Sequence, residues 1–274
     1  MRVELTGVPE TLLWNLYQRA AAARGPRPVL EDPRAVELVE EIDYPFGRFG
    51  GTAMAPWHAL RVRTFDRAVR RFLDRCPDGQ VVALGEGLET QFWRVDNGRV
   101  RWLTVDLPET LDVRERLLPG DPPRRRSLAC SALDLRWTDE VDASRGVLVT
   151  AQGPLMYLEP PEVRGLLAAC AQTLPGGAMV FDAVPPLLAR GTASRAASGA
   201  ASGAGGAGYR APAWRWTLPP RAWRRVATAS PAIASVRSLA YPRGRGLYAL
   251  APLAGRVPLV RDLRMSILEL RFAS

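Results

Sequence analysis

The chain contains no lysine. All 37 of its Lys-plus-Arg positions are arginine, set against 28 acidic residues, so the net charge at neutral pH is +9. Histidine occurs once, as His58, and cysteine three times, as Cys76, Cys130 and Cys170. One histidine and three scattered thiols give none of the ligand spacings of a metal centre, and an odd number is a poor disulfide framework. Reduced thiols packed in the core of a cytoplasmic protein are expected. No stretch reaches the ~18 consecutive apolar residues that span a bilayer, and no apolar run follows a basic patch at the N-terminus. The basic balance favours acidic small molecules or nucleic acid. Its longest run, Arg124 to Arg126, has no interleaved aromatics and no nucleic-acid motif around it. That run reads as a solvated loop, and neither nucleic acid nor a membrane is an expected partner.

What is present is organised around Val81 to Asp106. A short β-branched run, Val81 to Leu84, suits a strand buried on both faces. Gly85 and Gly87 then mark a turn where backbone can bend sharply and approach a ligand. A second apolar run from Arg101 ends in Asp106, placed to bond a ribose diol. The third glycine of the dinucleotide fingerprint is replaced by Thr90, and no Gly-Lys-Ser/Thr follows. A pyrophosphate ligand is therefore disfavoured. A ribose-bearing cofactor without phosphates fits, and S-adenosylmethionine is one.

The 274 residues, 47% apolar, suit one large α/β domain. Helices are predicted over residues 10–25 and 32–43, the second capped by Asp32 with Pro33 at its first position. A third helix, Ala59 to Leu73, carries Arg61 and Arg63. Strands are predicted at 127–132, 146–151 and 176–182, alternating with helices at 108–118 and 160–173. That alternation gives a parallel sheet whose ligands lie beyond the carboxyl ends of its strands, an edge shared by Glu86, Asp106, Asp134 and Gln152. Residues 190–208 are Gly/Ala/Ser-rich and read as a mobile loop. Order is expected to resume at Tyr209, with a short helix near 219–226, apolar segments at 232–239 and 247–253, and a terminal antiparallel edge strand, Ser266 to Phe272.

Seven stretches in order carry a resemblance: LEDPRAVELVEEIDY, ALRVRTFD, LGEGLETQFWRVD, VRWLTVDLPE, SALD, AQGPLMYL and PGGAMVFDAVPP. The chain resembles the leucine carboxyl methyltransferase-like family, in particular its bacterial polyketide O-methyltransferase branch. The resemblance implies a class I S-adenosylmethionine-dependent methyltransferase fold. This is a Rossmann-like, mostly parallel seven-stranded sheet with helices on both faces and a helical N-terminal cap. The cap would span 1–75, the cofactor core 80–184 and a substrate-side region 209–274. Arg61 would clamp the methionine carboxylate, with Gly85, Glu86 and Gly87 beneath the methionine moiety. Asp106 and Leu107 would meet the ribose, Asp134 and Leu135 the adenine, and Gln152 the ammonium.

The family's usual LGAGLDTR reads here LGEGLETQ, with Glu86 in place of a small residue, Glu89 of Asp and Gln91 of Arg. Glu86 would pair with the cofactor's ammonium or repel its carboxylate. The implied activity is O-methylation of a carboxylate or acidic hydroxyl on a small acidic acceptor. His58 is the one candidate base, which a phenol would use and a carboxylate would not need. The alternatives are a non-catalytic binding protein on the same fold and a nucleic-acid methyltransferase.

Overall fold

The β-branched run after Gly79 forms strand β1 (Gln80–Leu84), buried along its whole length. It pairs in parallel with β2 (Arg101–Asp106) on one side and β4 (Val147–Ala151) on the other. In the computed structural model, which describes residues 3, 7–25, 27–118, 120, 122–190, 212–253, 257, 260 and 262–274, β3 (Arg125–Ala129) and β5 (Ala178–Ala183) extend this parallel core. Two antiparallel strands, β6 (Ile233–Leu239) and β7 (Ser266–Phe272), complete a sheet of order β3-β2-β1-β4-β5-β7-β6.

The period-2 alternation of side chains divides the core. Val82 and Leu84 of β1 pack with Val163, Leu166 and Leu167 of α6 (Pro160–Thr173), while Val81 and Ala83 pack with Phe65, Val69 and Phe72 of α3 (Ala55–Leu73). A third cluster joins α1 (Thr11–Ala23) and α2 (Pro33–Glu41) to Leu88 and to Val113 and Leu117 of α5 (Pro108–Leu117). The first two helices are thus a cap seated on the glycine loop. Asp32 does cap α2, accepting from the Ala35 N–H at 3.2 Å.

Three expectations change. Ser266 to Phe272 is antiparallel but internal: both its faces are covered and β6 forms the edge beyond it. The basic run is not a solvated loop. Arg125 opens β3 and is buried, whereas Arg124 and Arg126 reach out to Asp96 and Glu140. The segment expected as a helix near 219–226 is instead a 3-10 stretch at Trp223–Ala229. The Gly/Ala/Ser-rich insert lies outside the described residues, apart from Arg190 at its start.

Candidate functional site

The turn after β1 depends on two left-handed glycines, Gly85 at φ 61° and Gly87 at φ 55°. A side chain at Gly85 would also stand 2.8 Å from Pro154, so the loop after β4 closes directly over the loop after β1. Asp106, at the end of β2, receives the Gly87 N–H at 2.7 Å on one carboxylate oxygen and the Leu107 N–H at 2.8 Å on the other. Burial raises its carboxyl above the ordinary range against the pull of these bonds. Each oxygen retains a further lone pair for a ribose hydroxyl. Leu107 and Leu135 are 38% and 39% exposed, apolar surface open to an adenine ring. Asp134 caps the 3-10 turn that starts at Leu135 and pairs with Arg136.

The two glutamates of the loop go to different places. Glu86 does not face the cofactor groove. Its carboxylate turns under β2, where it receives the Thr104 hydroxyl at 2.5 Å and lies 3.3 Å from Arg114 and 3.5 Å from Arg125. Two buried guanidiniums compensate the buried charge, so this carboxylate is committed to Thr104, Arg114 and Arg125 rather than standing free in the loop.

Glu89 pairs instead with Arg19 of α1 at 3.2 Å and with Arg94 at 2.8 Å, and receives the Gln152 amide at 3.0 Å. Arg94, on α4 (Gln91–Val95), also binds Asp32 and Asp66, each at 2.9 Å. Gln91 donates to the same Asp66 at 3.0 Å. Burial pushes the Glu89 carboxyl up, but Arg19 and Arg94 outweigh it and hold it well below its ordinary value. This ion web locks the cap, α3 and the glycine loop together. A cleft of about 830 Å³ lies against it, lined by Asp32, Arg63, Asp66, Arg70, Thr90 and Arg94 among others. None of Gly85, Gly87, Asp106 or Gln152 lines that cleft, so it is separate from the glycine-loop site.

Arg61 is 5% exposed and faces inward, unlike Arg63 two positions on. Its Nε donates to Asp182, at the carboxyl end of β5, at 2.5 Å. Asp182 also receives the Gly153 N–H at 2.9 Å, and a Cβ at Gly153 would stand 2.8 Å from the Arg61 guanidinium. The arginine is therefore held under the turn that follows β4. There Gln152, with its amide nitrogen on Glu89, presents a buried Oε1 that has no partner. An unpaired buried acceptor beside a guanidinium matches the ammonium and carboxylate of an amino-acid moiety. His58 lies one turn before Arg61, edge-on to Trp14 with ring centroids 4.6 Å apart. Burial, then Arg61 and Arg19, lower its pKa to about 3, so the imidazole is neutral.

Asp182, Trp14 and Gln18 were not singled out by sequence reasoning. Asp182 had a readable signal, an acid ending a buried strand as Asp106 does. Trp14 and Gln18 had none, being ordinary members of an amphipathic helix.

Comparison with known proteins bears on the family and the fold. The family model for leucine carboxyl methyltransferase matches residues 13–171. The tetracenomycin polyketide synthesis O-methyltransferase TcmP of Streptomyces glaucescens is 39% identical over 191 residues, 69% of this chain and 70% of that protein. The S-adenosyl-L-methionine-dependent methyltransferase dpfgK of Gibberella zeae is 30% identical over 183 residues, 61% of each chain. The fold is shared with a crystal structure from Thermobifida fusca, at TM-score 0.57, 18% identity and 94% coverage of both chains. The CurJ carbon methyltransferase shares it at TM-score 0.53 and 12% identity, over 97% of this chain and 68% of that one. With the glycine loop and the strand-end carboxylate assembled on a class I methyltransferase sheet, this chain belongs to the leucine carboxyl methyltransferase family of S-adenosylmethionine-dependent enzymes.

Proposed function

We propose that the enzyme methylates a carboxylate or acidic hydroxyl of a small molecule in polyketide or related secondary-metabolite biosynthesis. The setting rests on the similarity to TcmP. The acceptor class rests on one observation: His58, the one histidine of the sequence, is buried edge-on to Trp14 one turn before Arg61, and burial, Arg61 and Arg19 lower its pKa against the opposing pull of Glu89. A site whose one histidine is so weak a base favours an acceptor oxygen that arrives already ionised. Such a nucleophile needs no base. A histidine whose pKa is about 3 is neutral at pH 7 but too weak a base to hold an abstracted proton, and we assign His58 to positioning rather than to proton abstraction.

When bound, S-adenosylmethionine supplies a methyl group on a positively charged sulfur. In this reading Asp106 accepts the ribose hydroxyls through its remaining lone pairs, and Leu107 and Leu135, with Asp134 at their margin, cover the adenine. Gln152 Oε1 accepts from the ammonium, and Arg61, oriented by Asp182, donates toward the carboxylate. With both partners anchored, alignment of the acceptor oxygen behind the methyl carbon supplies much of the rate, worth ~7–11 kcal/mol in favourable intramolecular cases.

Calorimetric titration with S-adenosylmethionine tests the cofactor half. Asp106→Ala loses two charge-assisted backbone bonds as well as the ribose contact, and is expected to bind at least ~10-fold more weakly than wild type. Equal affinity would remove Asp106 from the site. Methyl transfer to aromatic acids, followed across pH 6 to 9 in His58→Gln, tests the acceptor half. Retention of turnover with an unchanged pH profile is expected, and loss of the acid limb, the fall in rate at low pH, would restore His58 as a base.

A further inference from the structure

Three buried polar atoms have no hydrogen-bond partner among the described residues: Trp14 Nε1 and Gln18 Oε1 on α1, and His58 Nδ1 on α3. Trp14 and Gln18 are four residues apart on α1 and so share a face, and the His58 ring meets the Trp14 ring edge-on. Gln18 is 1% exposed and His58 9%. The orientation of the Gln18 amide is fixed by the bond it does make: its nitrogen donates to the Gly51 carbonyl at 2.9 Å, which leaves the oxygen as the open acceptor. A buried acceptor without a donor costs free energy that nothing else in this helix pair offsets.

The cluster adjoins the methionine end of the cofactor site. His58 senses Arg61, Arg19 and Glu89, and Glu89 holds Gln152. We propose that Trp14, Gln18 and His58 form the recognition site for the methyl acceptor, and that this site selects acids carrying a second, unmethylated hydroxyl. The inference rests on the acceptor-methylating reading above and narrows it.

The chemistry of the three atoms sets the requirement. Trp14 Nε1 is a donor only, so it needs an oxygen lone pair. Gln18 Oε1 is an acceptor only, so it needs an O–H. A simple carboxylate supplies the first and not the second. Neutral His58 offers either a lone pair or an N–H at Nδ1 and adds no charge. A hydroxylated aromatic acid satisfies both fixed requirements, whereas its deoxy counterpart leaves Gln18 buried and unpaired. Sites that hydrogen-bond a substrate hydroxyl reject the analogue lacking it for this reason.

The test uses the full chain saturated with S-adenosylhomocysteine and a panel of one-, two- and three-ring aromatic acids, each hydroxylated member paired with its deoxy counterpart. Binding is read from the indole N–H resonance of Trp14, assigned by its loss in Trp14→Phe. At least one hydroxylated member is expected to shift that resonance and to bind about tenfold more tightly than its deoxy partner. Gln18→Met is expected to abolish the preference. Trp14→Phe, titrated by calorimetry because it lacks that resonance, is expected to weaken both members of a pair by a similar factor while Gln18 preserves their ratio; wild-type affinity in this variant would remove Trp14 from the site. Equal binding within every pair, absence of binding across the panel, or a preference that survives in Gln18→Met would each overturn the assignment. Calorimetry with S-adenosylmethionine on the same three proteins before S-adenosylhomocysteine is added separates these failures from failure of the methyltransferase reading, since cofactor binding is expected in all three.

Discussion

Between the cap and α3, two groups of buried polar side chains lie side by side and are built differently. In the ion web, both oxygens of Asp32, Asp66 and Glu89 are occupied, by Arg19, Arg94, Thr90, Gln91, Gln152 and the Ala35 N–H. In the Trp14–Gln18–His58 group, three polar atoms have no hydrogen-bond partner among the described residues. Burial is similar in both, so burial alone does not separate a structural residue from a binding one. Satisfaction does. Paired charges fix the position of the glycine loop, while unpaired dipoles mark where a ligand is to be received.

The sharpest way to break this contrast is to unpair the web. Arg94→Met removes the guanidinium that bridges buried Asp32, Asp66 and Glu89, leaving Arg19 on Asp32 and Glu89 and the partly exposed Arg63 near Asp66, and is expected to cost about 3–5 kcal/mol of unfolding free energy, read from urea denaturation. A loss below ~1 kcal/mol would mean that solvent reaches these carboxylates and that the web is not structural. A companion replacement of Asp66 by Leu in the Arg94→Met background is expected to recover part of the loss, because one stranded charge is then removed.

The two groups also titrate in different windows. His58 has its pKa lowered from 6.5 to about 3, so the unfolded chain takes up its proton first and stability falls as pH drops below 6.5. Between pH 7 and pH 5 this amounts to about 2 kcal/mol. Glu89 is also depressed, from 4.5, so its contribution is intact above that value and is lost only at lower pH. Unfolding measured at pH 7 and pH 5 therefore isolates the binding group. In His58→Leu the difference between the two pH values is expected to shrink by about that amount, and an unchanged difference would place the titrating group elsewhere.

The sheet was legible in the sequence because its strands are short β-branched runs punctuated by glycine, and their alternation with amphipathic helices leaves one topology. Gly85, Gly87 and Asp106 were legible for the same reason, since a tight turn and a strand-end acid are local features. Glu86 was not. Its position in the loop placed it beside the cofactor, but the direction of its side chain is set by Arg114 and Arg125, which are 28 and 39 residues away in the chain. The web was hidden likewise, because Arg19, Asp32 and Asp66 become neighbours of Glu89 only after three helices pack. The internal place of β7 escaped because Ser266–Phe272 alternates as an edge strand does, while Glu269, the polar residue in that pattern, is buried against Arg237 and Arg271.

The smallest effect separates adjacent arginines. Arg125 and Arg126 are neighbours in the longest basic run, and sequence alone treats them alike. Alternation along β3 sends Arg125 inward to Thr104 and Glu86, at 2% side-chain exposure, and Arg126 outward to Glu140, at 59%. An exposed pair gains little over its hydrated parts, so Arg126→Gln is expected to change stability by less than ~0.5 kcal/mol. Arg125→Gln removes one of two cations compensating buried Glu86 and is expected to cost several times more, on the order of 2–3 kcal/mol. Equal effects from the two would mean that Glu86 is neutralised by Arg114 alone, and the difference between the paired interior and the solvated surface would then rest on the web around Glu89.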